Sequence, residues 1–92
     1  MTDTRKLLVS PDTLVNLVDG ESVLLDLKSE QYFGLNKSAT RMWAALSETG
    51  TIDGAHRKLM GEYAVDPNQL RADLESLVAT LIERGLVRFD EA

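Results

Sequence analysis

The chain has 92 residues, 43% of them hydrophobic, which suits one compact core and one domain over residues 1–92. Its formal net charge of −5 argues against nonspecific binding to nucleic acid or to a membrane surface, because both require clustered Lys and Arg. The absence of cysteine excludes disulfides and thiolate chemistry. No apolar run is long enough to span a membrane, and no signal-peptide pattern is visible, so we expect a cytoplasmic protein.

The first half of the chain has the pattern of an antiparallel sheet. Residues 7–9 are a short apolar run, which predicts either a brief edge strand or a segment lying across the core. Residues 13–19 and 22–28 have the composition and alternation of strands, and Asp19-Gly20 between them suits a type I′ hairpin turn. A polar turn then leads to a third strand, Gln31–Leu35. Because short connections pair sequential neighbours, we expect a meander with this last strand at its edge.

Three helices are predicted in the second half of the chain. The first covers about residues 37–48, with either Asn36 or Ser38 as its N-cap. The second begins after Thr51 and carries an apolar side that we expect to include Tyr63. The third begins after Asp66, and the helices end near glycines.

The third helix has the strongest start signal in the sequence. Pro67 suits its first position, and Gln69 is placed to complete a capping box. The periodicity of the helix predicts one apolar stripe, formed by Leu70, Leu74, Leu77, Val78 and Leu81. Residues 86–89 are expected to pack as a terminal strand or hook. A sheet followed by helices indicates an α+β fold, and a three-stranded antiparallel sheet followed by three helices is the layout of a winged helix-turn-helix.

The sequence contains no recognisable catalytic or metal-binding pattern. His56 is the lone histidine, and the chain has no Gly-rich phosphate loop or nucleophile beside a base. The pairs Asp26 with Glu30 and Asp73 with Glu75 are typical of solvated surface charge. We therefore expect a protein that is not an enzyme and that needs no cofactor or metal.

The edge strand is the most informative candidate for a binding site. Tyr32 and Phe33 are consecutive, so their side chains point to opposite faces of the sheet, and one of them remains available to a partner. An edge strand also has unpaired N–H and C=O groups, which accept an extended peptide as an additional strand. The same open edge also permits a weak homodimer.

Several stretches together resemble one family of small binding domains. Leu25-Asp26-Leu27 precedes a polar turn, the segment 31–36 reads QYFGLN, a helix start and Trp43 follow, and residues 83–87 read ERGLV. In this order and spacing they resemble the PqqD family, also called the RiPP precursor peptide recognition element, where RiPP denotes a ribosomally synthesised and modified peptide. Two departures are Glu30, where a turn glycine is common, and Ala39-Thr40 at the helix start.

The resemblance implies a winged-helix-like domain that binds the leader segment of a precursor peptide. The leader is expected to add as a strand beside the third strand, in a groove whose other wall is the third helix. The strand residues carried over by position are Gln31, Tyr32, Phe33, Gly34 and Leu35, and the helix residues are Leu70, Asp73, Leu74, Leu77, Val78 and Leu81. Some of these leucines must belong to the core, and either the Asp73 flank or the Arg71 flank of the helix is expected to rim the groove.

The implied partner, besides the leader, is an enzyme that modifies the precursor. The chain most resembles the stand-alone leader-binding proteins of lasso-peptide pathways, which serve a separate leader peptidase of the cysteine-protease type. An alternative is a PqqD-like peptide chaperone for a radical-SAM enzyme in another pathway. A winged-helix DNA-binding protein is a third possibility, which the acidic net charge disfavours.

Overall fold

The computed structural model describes residues 4–90, which form five strands and three helices. In chain order the elements are β1 (Leu7–Val9), β2 (Thr13–Val18), β3 (Glu21–Asp26), β4 (Gln31–Leu35), α1 (Lys37–Thr49), α2 (Ile52–Glu62), α3 (Pro67–Glu83) and β5 (Val87–Phe89). The three-stranded sheet and the three helices confirm the predicted α+β, winged-helix-like fold. None of these helices has the combination of length and apolarity needed to cross a bilayer.

Strands β2, β3 and β4 form the predicted antiparallel meander, with β3 in the centre. Asp19 and Gly20 join β2 to β3 with φ angles of 53° and 82°, the two positive values that a type I′ turn requires. The register sets Leu24 opposite both Val15 and Phe33, so these three side chains share one face of the sheet. This is the face that the helices cover.

Capping side chains begin all three helices. Asn36, Thr51 and Asp66 each accept a hydrogen bond from a backbone N–H in the first turn of α1, α2 and α3, respectively. Helix α1 is also tied to the sheet, because the hydroxyls of the buried Ser22 and of Thr40 lie 2.9 Å apart. This bond fixes the first turn of α1 against β3, five residues after β4 ends.

One hydrophobic core lies between the helices and the covered face of the sheet. Its buried side chains come from β3, β4, β5, the three helices and the residue before β5; they are Leu24, Leu35, Trp43, Ala45, Leu46, Ile52, Ala55, Leu59, Leu74, Leu77, Val78, Leu81, Leu86 and Val87. Helix α3 contributes four of these residues, so the apolar stripe predicted for it is confirmed.

The short strands β1 and β5 pair with each other in a separate antiparallel ribbon. Leu7 lies opposite Phe89, and Val9 lies opposite Val87. The sequence left open whether residues 7–9 and 86–89 form strands; the structure shows that residues 7–9 and 87–89 do, and that they are partners. The Leu7 amide also donates to the Gly50 carbonyl at 2.7 Å, which fixes the ribbon beside the end of α1.

Two details of the predicted helices are wrong. The Gln69 side chain donates to Asp73 at 2.8 Å and does not complete a capping box, because Asp73 one turn further along offers a charged acceptor. Tyr63 is not part of the apolar side of α2, since the helix ends at Glu62 and Tyr63 is an exposed C-cap with extended backbone angles.

Candidate functional site

Strand β4 is an edge of the sheet and keeps one side of its backbone open. It pairs with β3 alone among the described residues 4–90. Tyr32 is 74% exposed on the outer face, whereas Phe33 is half-buried on the helix side and Leu35 is buried. The prediction that Tyr32 and Phe33 face opposite sides is confirmed. A Cβ at Gly34 would meet no atom within 4 Å, so the outer face of the strand is uncovered there.

We define the candidate groove as the surface between β4 and the flank of α3 that carries Leu70 and Asp73; one end of it is a recess lined by Gln31, Tyr32, Phe33, Arg84 and Leu86. Helix α3 packs mainly on α2 and β5, whereas β4 packs mainly on β3 and α1. At one end of the groove the Arg84 guanidinium lies 5.4 Å from the centre of the Phe33 ring. Leu70, Asp73 and Leu77 share this flank with Arg84, because they are spaced at i, i+3, i+7 and i+14 on the helix.

The opposite flank of α3 packs against α2 and is unavailable to a peptide in this groove. Arg71 donates to Asp53 at 3.0 Å with only 22% of its side chain exposed, and the Pro67 carbonyl lies 2.8 Å from His56 Nε2. Of the two flanks that the sequence left open, the Asp73 flank is therefore the one that rims the groove.

The other end of the candidate groove is a hollow of about 310 Å³, which lies past β4 and is not lined by any of its residues. Its lining comes from the first turns of α1, from the end of α2 and the loop after it, and from the first half of α3; the residues are Ser38, Arg41, Met42, Leu59, Tyr63, Val65, Asp66, Gln69, Leu70 and Asp73. Arg41 lies 5.2 Å from the centre of the Tyr63 ring at the rim. The hollow has an apolar floor and a charged rim, an arrangement that suits an amphipathic chain segment.

The helix residues predicted for the site divide into two groups. Leu74, Val78 and Leu81 are buried in the core, because they lie at the centre of the apolar stripe of α3. They support the groove wall from behind and do not line its surface. Leu70 and Asp73 reach the open flank, whereas Leu77, on the same side of the helix, is buried in the core at 8% exposure.

Sequence reasoning missed the two arginines at the ends of the groove and the α1 residues between them. Arg84 and Arg41 belong to other parts of the chain, and only the tertiary structure places each beside an aromatic ring. Met42 packs against the core and is half-buried at the floor of the hollow. The one available signal was the i+14 spacing of Leu70 and Arg84 along α3.

The basic residues of α2, where a DNA-binding surface would be sought, are paired with carboxylates. Arg57 bonds to Asp53 at 2.9 Å, and Lys58 lies 3.3 Å from Glu48 and 3.5 Å from Glu62. The hydrogen bond and charge of Glu48, followed by the charge of Glu62, raise the pKa of the Lys58 ammonium above its ordinary value. These cations are already compensated within the chain, which weighs against phosphate binding by α2.

Comparisons with known proteins agree with this geometry. The family model described as coenzyme PQQ synthesis protein D (PqqD) matches residues 21–87. The chain is similar to the solved structure of TbiB1 in complex with the TbiA(beta) leader peptide, with a TM-score of 0.78 and 27% identity, covering 91% of this chain and 95% of that one. It is also similar to lasso peptide synthetase B1 complexed with the leader peptide, with a TM-score of 0.78 and 28% identity, covering 90% and 98% of the two chains. No curated protein sequence matches it.

Proposed function

The chain belongs to the PqqD family, and from this premise we propose that it binds the leader segment of a ribosomally made precursor peptide as a strand added to β4. The observation that carries the proposal is the open backbone edge of β4, which has Arg84 at the end of α3 beside its Phe33. The complexes of TbiB1 and of lasso peptide synthetase B1 with their leader peptides support it.

The backbone of β4 supplies the general part of the affinity. Residues of a strand direct their N–H and C=O groups alternately to the two sides, so within Gln31–Leu35 every second residue offers a donor and an acceptor to the open edge. A leader bound there forms a fourth strand whose hydrogen bonds do not depend on its sequence.

Side chains around the groove supply the specificity. Alternate residues of an added strand point to opposite faces, so every second leader side chain faces the helix side, toward Phe33 and Leu70. The other leader side chains run beside Tyr32 on the outer face. We infer that apolar leader residues occupy the groove and the hollow, with Arg41, Asp73 and Arg84 reading polar groups at the rim.

We further propose that the domain performs no catalysis itself and presents the bound leader to a separate enzyme in the cytoplasm. The similarity to lasso peptide synthetase B1 favours a leader peptidase of the cysteine-protease type in lasso-peptide biosynthesis. The description of the family as a coenzyme PQQ synthesis protein keeps a radical-SAM enzyme as the alternative partner. The two readings share one groove and differ only in the enzyme that the chain recruits.

A titration with a synthetic leader peptide tests the proposal directly. We would follow the backbone amides by NMR while adding the leader region of the precursor encoded beside this chain. Saturable shifts at Gln31–Leu35, Leu70 and Asp73, with little change at Arg71, are expected. Shifts confined to α2, or binding to duplex DNA that weakens steeply with salt, would contradict it.

Two proline variants provide a matched pair for the same experiment. In an edge strand, one of two consecutive residues directs its N–H to the neighbouring strand and the other to the open side. Of Tyr32→Pro and Phe33→Pro, one therefore removes a β3–β4 bond and destabilises the fold, whereas the other removes only a donor to the leader. A variant that folds normally and loses leader affinity is expected, and full affinity in every folded variant would contradict strand addition.

A further inference from the structure

Strand β2 is the other edge of the sheet, and its apolar side chains are exposed. Leu14, Val15, Leu17 and Val18 are 53%, 49%, 64% and 58% exposed, respectively. No charged residue and no proline interrupts Thr13–Val18, although such residues normally protect an edge strand from pairing. An apolar edge of this kind marks a surface that another chain covers.

The helices cover the neighbouring strand and stop short of β2. Val15 pairs with Leu24 and lies on the helix side of the sheet, yet Leu24 is fully buried while Val15 is half exposed. Val15 and Leu17 therefore lie on the helix side of the sheet but outside the core, and Leu14 and Val18 are exposed on the other face. The described residues of the chain therefore leave apolar side chains exposed on both faces of β2.

The sequence of β2 is nearly symmetric about its central asparagine, since residues 14–18 read LVNLV. We propose that β2 pairs antiparallel with β2 of a second copy of this chain, about a twofold axis at Asn16. In that register Leu14 faces Val18 of the second copy, Val15 faces Leu17, and the two Asn16 amides face each other. All apolar side chains then meet apolar ones on the same face, as an isologous interface requires.

This pairing joins two three-stranded sheets into one of six strands. The two β4 edges lie at its far ends, so both remain open. The dimer goes beyond the proposed function and does not depend on it, since each copy keeps its own groove. The sequence suggested self-association through the open edge of β4; we propose the β2 edge instead, because its apolar side chains are exposed.

Charges at the ends of β2 give the dimer a recognisable salt dependence. The twofold register sets Asp19 opposite Thr13 of the second copy and Asp12 opposite Gly20, so the two aspartates of different copies come close together. Glu21 lies beside them, and the nearby cations are Lys37, whose alkyl chain lies 3.7–3.9 Å from the position of a Cβ at Gly20, and Lys28, which follows the Leu27 amide that donates to the Asp12 carbonyl at 2.9 Å. Acidic groups crowd each end, so added salt is expected to strengthen the dimer.

Sedimentation of the full chain over a range of concentrations tests the interface. A monomer–dimer equilibrium that shifts toward dimer with salt is expected. Leu17→Lys should raise the dissociation constant roughly tenfold or more, because it sets a charge opposite Val15 of the second copy. Tyr32→Lys, on the other edge, should leave the dimer unchanged. A monomer at every concentration, or a dimer that leader peptide displaces, would overturn the proposal.

Single cysteines test the register, since the chain has none of its own. Asn16→Cys sets two thiols opposite each other at the twofold axis, with Cα atoms about 4.5–5.5 Å apart, within the range of a disulfide. Leu14→Cys is the matched control, because its two copies are offset by four residues, roughly 13 Å. Rapid oxidation to a covalent dimer is expected for Asn16→Cys alone, and for Leu14→Cys only when mixed with Val18→Cys.

The outcomes separate the dimer from leader binding. Equal oxidation of Asn16→Cys and Leu14→Cys would overturn the twofold register. Leu17→Lys should bind leader peptide with unchanged affinity, because Leu17 lies outside the groove. If no variant and no wild-type protein binds the leader, the proposed function fails while the sedimentation and oxidation results still stand.

Discussion

Strands β2 and β4 are the two edges of one sheet, but their surroundings differ. Strand β4 has the Leu70–Arg84 flank of α3 as a wall. The side chains of β4 that face the helices are Phe33, which is half-buried, and Leu35, which is buried. Beside β2 there is no wall, and its apolar side chains are exposed on both faces. The same kind of backbone edge therefore has two different recognition surfaces.

The difference shows what adds specificity to an edge strand. Backbone groups are alike at both edges, so selection depends on what surrounds them. A groove with a wall on one face distinguishes a partner's two sets of side chains and thus its sequence and direction. An edge without a wall favours a partner that is apolar on both faces, and in the proposed dimer the nearly symmetric β2 meets such a partner in its own copy.

The largest expected effect comes from Leu24→Ala, which should destabilise the sheet that carries both β2 and β4. Leu24 lies in the central strand and is fully buried between the sheet and the helices. The lost contacts and the cavity should reduce the free energy of unfolding by about 2–5 kcal/mol. Val23→Ala, one residue away on the outer face, should cost clearly less. Urea denaturation followed by circular dichroism measures both, and equal losses would contradict this view of the core.

Leu70→Ala should weaken the β4 edge alone. Leu70 is half-buried at the floor of the hollow, so its truncation should reduce leader affinity by about 1–2 kcal/mol, or roughly 5- to 30-fold. Ile82→Ala on the opposite flank of α3 is the matched control, since Ile82 is also an aliphatic residue of this helix and its side chain is 37% exposed. Calorimetric titration with leader peptide measures both, and equal losses would mean that the groove lies elsewhere.

Gly20→Ala tests the turn that leads from β2 into β3. Gly20 has a φ of 82°, which an alanine adopts only with strain. An added Cβ would make only ordinary van der Waals contacts with Lys37, so the destabilisation comes from the backbone conformation and not from a clash. The free energy of unfolding should fall by about 1 kcal/mol. Gly61→Ala on α2, where a Cβ meets nothing within 4 Å, should instead raise it. A loss at both positions would contradict the assignment.

Glu30→Gly tests the turn that leads into β4 and should have the smallest effect. Glu30 has a φ of 60°, a left-handed conformation that glycine adopts more readily. The variant should raise the free energy of unfolding by about 0.5–1 kcal/mol. Ser29→Gly should lower it, because Ser29 Oγ donates to the Asp26 carboxylate at 2.9 Å. An increase for Ser29→Gly, or a decrease for Glu30→Gly, would contradict the expected strain.

Local signals made most of the fold predictable. The bounds of β4 were predicted correctly, and Asn36, Thr51 and Asp66 act as caps, because strand alternation and capping depend on a few adjacent residues. The pairing of β1 with β5 was not predictable, since about eighty residues separate the two strands and neither carries a mark of the other. Long-range pairing is decided by the packed core and leaves little trace in a three-residue strand.

The candidate site was predictable in outline and not in its details. Periodicity identified the apolar stripe of α3, but it cannot say which of two flanks meets the sheet, because both are equally distant from the stripe centre. The Arg71–Asp53 pair decides this, and it joins two helices whose relative rotation no local pattern specifies. The stacking of Arg84 on Phe33 was invisible for the same reason.

The ribbon of β1 and β5 determines how the molecule would respond to mechanical force. Leu7 lies opposite Phe89, and the Asp90 amide donates to the Lys6 carbonyl at 2.8 Å. Residues 6 and 90 therefore leave the ribbon at the same end, and tension applied through them loads its bonds one pair at a time, as in the opening of a zipper. The ribbon should part at low force, before tension reaches the sheet that carries β4.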